Sequence, residues 1–187
     1  MAAAVVTLSA FAGAAAAASS TPAEIHDLTE AGRNAEAAEA ARALLVDAER
    51  RNGRRSAEVA EALELLSRAL ARAHPRDIEG KEERLALAER ALYIRLELGE
   101  SGPTVAWAYY VVGLVHNLGG DPASAVEPFE RALTIAEEHY GRFQPETEIY
   151  VRDYGTALFG IGRYREAREV FERHLQISRR KFEAGDR

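Results

Sequence analysis

The chain has 187 residues, 47% of them hydrophobic, a formal net charge of −6 and no cysteine. That length suits one compact domain or one short repeat array. The acidic balance, with no block of consecutive basic residues, gives no electrostatic basis for a nucleic-acid or acidic-lipid surface. The absence of cysteine excludes disulfides, a thiol nucleophile and thiolate metal sites.

Residues 1–20, "MAAAVVTLSAFAGAAAAASS", carry no charge, an apolar stretch around Val5, Val6, Leu8 and Phe11, and a small-residue tract at Ala16-Ala17-Ala18. This resembles a secretory signal, which would place the mature protein in the periplasm or outside the cell. The basic flank of such signals is missing, since the first Lys or Arg is Arg33. Ala adds little to membrane insertion, so the segment is weak for a permanent span. Three readings stand: a cleaved signal, an uncleaved anchor, and an Ala-rich tail on a cytoplasmic protein. The cations are nearly all Arg and Ala is abundant, which suggests a high-GC bacterial genome.

From residue 21 onward the pattern is helical. Thr21-Pro22-Ala23-Glu24 offers a hydroxyl cap, Pro at the first helical position and a Glu placed to reach back, a strong helix start. Apolar residues then recur at spacings of three and four, with no alternation of period two. Breaks fall at Gly32, Gly53, His74-Pro75, Gly99 to Pro103, Gly119 to Pro122, Gly141 to Pro145 and Gly160 to Gly162. They predict about eight short helices and an all-α chain. Pro128 falls inside the sixth of these and cannot donate to the carbonyl of Ser124, which predicts a kink or loosened turn there.

One helical phrase is written twice, as "GDPASAVEPFERAL" from Gly120 and "GRYREAREVFERHL" from Gly162. An interval of 42 residues links Gly113 to Gly155, Ala125 to Ala167, Phe129 to Phe171, Leu133 to Leu175 and Pro103 to Pro145. Looser echoes occur earlier: "AERALYI" at Ala88 matches "FERALTI" at Phe129, and "GRNAEAAEAARALL" at Gly32 matches Gly162 onward. Antiparallel helices approach to roughly 8–10 Å where small side chains meet. Gly113 and Gly155 on first helices, facing Ala125 and Ala167 on second helices, supply that closeness, and Phe129 and Phe171 are expected to fill the gap toward the neighbouring hairpin. A lone hairpin cannot bury both faces, so such units stack into a solenoid.

These residues resemble the tetratricopeptide repeat in its longer, kinesin-light-chain-like form, of the type found in many bacterial proteins. Gly162, Tyr164, Ala167 and Phe171 meet its Gly-x-Tyr-x-x-Ala-x-x-x-Phe phrase, and Gly120, Ala125 and Phe129 nearly do. Pro122 replaces the Tyr in the third repeat, and the second has a longer turn from His74 to Glu83. The resemblance implies an α-solenoid, a right-handed superhelix of about four hairpins over residues 21–55, 56–101, 103–143 and 145–182. It also implies a noncatalytic module that holds a protein or peptide partner on the concave side, lined by first helices.

The chemistry-bearing residues agree with that implication. The five histidines form no i, i+4 pair and no His-Glu-x-x-His run, so a helix-borne zinc site has no support. Gly160-Ile161-Gly162 lacks a third Gly and follows no strand. No acid and base stand out as a catalytic pair. We therefore expect no enzyme activity, no cofactor and no metal. The concave stripe predicted for the third repeat is Trp107, Tyr110, Leu114 and Asn117, and for the fourth Ile149, Arg152, Thr156 and Phe159; aromatics and Arg dominate binding hot spots. The expected partner is a protein or peptide, with no nucleic acid, and a membrane only if residues 1–20 are an uncleaved anchor. Phe171, Leu175 and Phe182 near the C-terminus lack a polar covering helix, so self-association, or membership of a larger membrane-linked regulator, is the alternative.

Overall fold

Thr21 opens the first helix as its sequence requires: its hydroxyl accepts the Glu24 N–H at 3.3 Å, and the Glu24 carboxylate accepts the Thr21 N–H at 2.8 Å. The computed structural model describes residues 20–77 and 80–185, so the signal, anchor and tail readings of residues 1–18 lie outside the described residues. Eight α-helices follow in order: α1 (Pro22–Glu30), α2 (Asn34–Asn52), α3 (Ala57–Ala73), α4 (Lys81–Glu97), α5 (Pro103–Leu118), α6 (Pro122–Tyr140), α7 (Glu148–Gly160) and α8 (Tyr164–Gly185). A short 3-10 turn, Pro145–Thr147, precedes α7, and the described residues contain no strand. All seven predicted breaks separate two of these helices.

The physical causes of the breaks are local. Gly53 and Gly141 end α2 and α6 at φ of 78° and 98°, a region that side-chain-bearing residues avoid. Ser56 and Asp121 cap the starts of α3 and α6 by accepting the N–H groups of Val59 and Ser124. The break at His74-Pro75 has no glycine at its turning point. Arg76 takes the left-handed conformation instead, φ 66°, and its N–H is tied to the Leu118 carbonyl at 2.9 Å. Arg84, nearly buried, reaches back from α4 to the Asp77 carboxylate and carbonyl. The longer turn of the second repeat is thus held both to its own helix and to the end of α5.

α6 runs through Pro128 as one helix. The kink or loosened turn expected near Ser124 does not end the helix. The carbonyl that Pro128 leaves unserved lies in the first turn, where the Asp121 cap already holds the chain.

Each helix packs on the one that follows it. The odd helices also bring their backbones close to their odd neighbours, α1 on α3, α3 on α5 and α5 on α7, whereas among the described residues the even helices reach one another only through longer side chains, as Arg90 of α4 does to Glu49 of α2. In a curved two-layer stack the layer with the tighter spacing is the inner one. The odd helices therefore form the concave side of an all-α solenoid, and the even helices form the outside.

Within a hairpin the glycines act as expected but on a different partner. A Cβ at Gly113 would stand 2.6 Å from Phe129 Cδ1, and one at Gly155 would stand 2.8 Å from Phe171 Cε1. In both hairpins the Phe ring of the second helix lies against the Gly of its own first helix. Phe129 also meets the Tyr110 ring at 5.7 Å between centroids. The main core gathers around these residues, and two smaller apolar clusters, built on Ile25 with Leu66 and on Leu63 with Ile94, join α1 through α4.

Candidate peptide-binding trough

Three successive odd helices, α1, α3 and α5, enclose an open trough of about 540 Å³ on the concave side. Pro22 and His26 come from α1, Glu61 and Arg68 from α3, and Pro103 and Trp107 from α5. Pro22 and Pro103 sit at first helical positions, where the missing N–H costs nothing, so the two helix starts present apolar rims. Trp107, the one tryptophan of the chain, is half-buried. It stacks on Tyr110 with centroids 5.0 Å apart and 27° between planes, and the Arg68 guanidinium lies 5.4 Å from its ring centre.

The predicted stripe does not come together as one surface. Trp107 lines the trough. Tyr110 and Leu114 do not: Tyr110 is 0% exposed and Leu114 5%. α5 has α3, α4, α6 and α7 around it, so a stripe that would be open on an end helix is core here. Burial first, then the neighbouring Asp153, pushes the Tyr110 phenol far above its ordinary value, and its hydroxyl donates to Asp153 at 2.8 Å. Asn117 is half-buried at the last turn of α5.

On α7, Arg152 and Thr156 are exposed and Ile149 half-buried. Arg152 forks onto Asp153, with contacts of 2.7 and 3.2 Å, and the Thr156 hydroxyl donates to the Arg152 carbonyl at 2.9 Å. Phe159 is 59% exposed and meets Tyr164 edge-on. It belongs to a second, more apolar hollow of about 530 Å³ on the α7–α8 end face, with Phe171 and Leu175.

Two features of the trough escaped the sequence reading. Glu64 and Arg95 form a buried two-point ion pair between α3 and α4, at 2.6 and 3.1 Å, with Glu100 completing the guanidinium at 2.8 Å. Burial pushes the Glu64 carboxyl up against the pull of Arg95. Burial also opposes the Arg95 charge, but Glu64 and Glu100 outweigh it and hold the guanidinium protonated. Beside this pair, Arg68 is 2% exposed. Its Nη1 lies 3.8 Å from Glu30, and its Nε and Nη2 have no hydrogen-bond partner. Burial, then the nearby Arg72, pulls the Arg68 guanidinium below its ordinary value.

The sequence model of the tetratricopeptide repeat matches residues 82–138, the span from α4 through most of α6. Over that span the chain is similar to tetratricopeptide repeats. Among solved structures, similarity extends to TPR-like, nearly identical repeats of a kinesin light chain type protein from Podosopora anserina, at 15% identity over 86% of this chain and 94% of that one, TM-score 0.47. A single-substitution variant of those repeats matches at 14% identity over 87% and 94%, TM-score 0.48. No curated protein sequence is significantly similar to this chain. Tetratricopeptide repeats mediate protein–protein interaction and are typically noncatalytic scaffolds.

Proposed function

We propose that this tetratricopeptide-repeat chain is a noncatalytic module that holds an extended segment of a partner protein in the trough between α1, α3 and α5. The observation that supports this is the position of Trp107, a half-buried aromatic on the floor of an open cleft of about 540 Å³, the kind of anchor on which binding energy concentrates. Site-specific photo-crosslinking in the native cell tests it. A photoreactive residue at exposed His26, inside the trough, is expected to form partner adducts, and one at exposed Val46 on the outer helix α2 is not. Adducts at Val46 with none at His26 would overturn the reading.

A second reading, self-association, draws on the end face. Phe129 and Leu133 are 0% and 6% exposed where the α7–α8 hairpin follows them, whereas Leu175, one repeat later, is 49% exposed. Tyr164 and Phe182 are open on the same end. Self-association through this face predicts a mass that rises with concentration in size-exclusion chromatography with light scattering; a fixed monomer counts against it. We propose further that residues 1–18 direct export, for which N-terminal sequencing of the periplasmic fraction should find a start beyond Ala18.

A further inference from the structure

We propose that two copies of this chain pair through antiparallel α8 helices, in the register that sets Glu172 of each copy against Arg179 of the other. This rests on the self-association reading above and adds the direction and register of the contact.

The open side of α8 is a seam with helical spacing. Tyr164, Arg168, Phe171, Leu175, Ser178 and Phe182 recur at alternating intervals of four and three, the pattern of a helix that packs along another helix. Tyr164, Leu175 and Phe182 are exposed, and the two buried residues of α8, Ala167 and Ile177, lie off the seam. α7 does not close it, since α8 has 22 residues and α7 only 13. One repeat earlier the equivalent positions, Phe129 and Leu133, are closed by a helix, α7. The occupant of the seam is therefore a helix as well.

Charge selects a second α8 and its direction. In a parallel pair Arg168 would face its own counterpart across the seam, and reversing one helix removes that clash. In one antiparallel register Phe171 meets Phe182 of the second copy and Leu175 meets Ser178 of the second copy. Glu172 and Arg179 then lie together on the solvent rim, and the two-fold axis repeats the pair. A slip of seven residues in either direction sets like charges together, Glu172 on Glu172 with Arg165 on Arg179, or Arg179 on Arg179. Glu172 bonds Arg168 within its helix at 2.8 Å. Among the described residues Arg179 has no ion-pair partner in its own chain, so its charge is free for the second copy. An anionic lipid surface would meet Glu172 on the rim and be repelled by it.

Sedimentation equilibrium of the full chain tests this with variants at Glu172, Leu175 and Arg179, all exposed, so each should keep the wild-type helical signal in circular dichroism. Wild type should dimerise and Leu175→Glu should not. Glu172→Arg and Arg179→Glu each turn two attractions into two repulsions, and each should weaken the dimer at least about fivefold. The double variant Glu172→Arg with Arg179→Glu has the wild-type net charge and should recover to within about twofold. If the charge variants behave as wild type, or the double variant does not recover, while Leu175→Glu is monomeric, the register is overturned and the end-face contact stands. A wild type that stays monomeric, or a dimer that survives Leu175→Glu, overturns the proposal and the self-association reading together. Sedimentation of a monomeric wild type with phosphatidylglycerol vesicles, abolished by Leu175→Glu, would assign the seam to lipid instead.

Discussion

Gly113 and Gly155 occupy the same place in successive repeats, yet Ala should have opposite effects at the two. At Gly113 the new methyl would stand 2.6, 2.8 and 3.0 Å from three atoms of the Phe129 ring. That ring is fully buried and hemmed in by Tyr110, so relief requires separating α5 from α6. Overpacking of this kind costs about 1–3 kcal/mol, and with three rigid contacts the upper end applies. Ala recovers about 1 kcal/mol over Gly in a helix interior, leaving a net loss of about 2 kcal/mol. At Gly155 the contacts are nearly as short, 2.8 and 3.0 Å to Phe171 and 3.1 Å to Val170. Phe171, however, is half-buried beside the end-face hollow and can swing outward. There the helix preference wins, and Gly155→Ala should be neutral or stabilising by up to about 1 kcal/mol. Urea denaturation of both variants, with the slope checked for constancy, decides the matter. Equal costs at the two sites, or a Gly113→Ala protein as stable as wild type, would refute the idea that the ring against the glycine sets the hairpin spacing.

Other substitutions probe the polar framework. Glu64→Ala leaves Arg95 buried with Glu100 alone, and should lower stability by about 3 kcal/mol in thermal denaturation. Asp121→Ala removes the α6 cap and the 3.1 Å contact to Lys81, at about 1 kcal/mol. The bonds from Ser124, then Lys81, hold the Asp121 carboxyl at about 2, below its ordinary 3.8. Its contribution is therefore nearly complete above pH 4 and is lost as pH falls through about 2, so the difference in melting point between wild type and Asp121→Ala should shrink steadily between pH 4 and pH 2. Tyr110→Phe deletes one hydrogen bond while Asp153 keeps the Arg152 fork, so its cost should stay near 1 kcal/mol by urea denaturation.

The fold was legible because the features that set it act over short distances along the chain. Glycines past helix ends, Ser56 and Asp121 as caps, and Pro at helix starts each work within one turn, and the repeat brings Gly and Phe together at a fixed separation of 16 residues, as in Gly113 with Phe129. The turn at Arg76 was harder: a non-glycine left-handed residue is held there by a bond to Leu118, 42 positions away, which no local pattern announces. The candidate stripe was less legible for a geometric reason. α5 is apolar nearly all round, "VAWAYYVVGLV", and such a helix is enclosed rather than amphipathic. Assigning Tyr110 and Leu114 to an open face assumed one free side that four neighbouring helices remove. Arg152 and Thr156 are exposed because fewer helices surround α7.

Arg68 shows why charge is harder to place than apolar pattern. Glu64 and Arg68 stand four apart on α3, Glu first, the order that gives a self-contained pair on a solvated helix face. The structure divides them. Arg95, from the next helix, takes both oxygens of Glu64 in a buried fork, and Arg68 is left with Trp107 and a distant Glu30. The available signal was the company they keep: Leu63, Leu65, Leu66 and Ala69 surround both charges in sequence and are buried, so neither could reach water along its own helix. If that account is right, Arg95→Met should release Glu64 to Arg68. A crystal structure of the variant should then show Arg68 paired with Glu64. An Arg95→Met structure in which Arg68 stays off Glu64 would mean that the two are separated by geometry and not by Arg95.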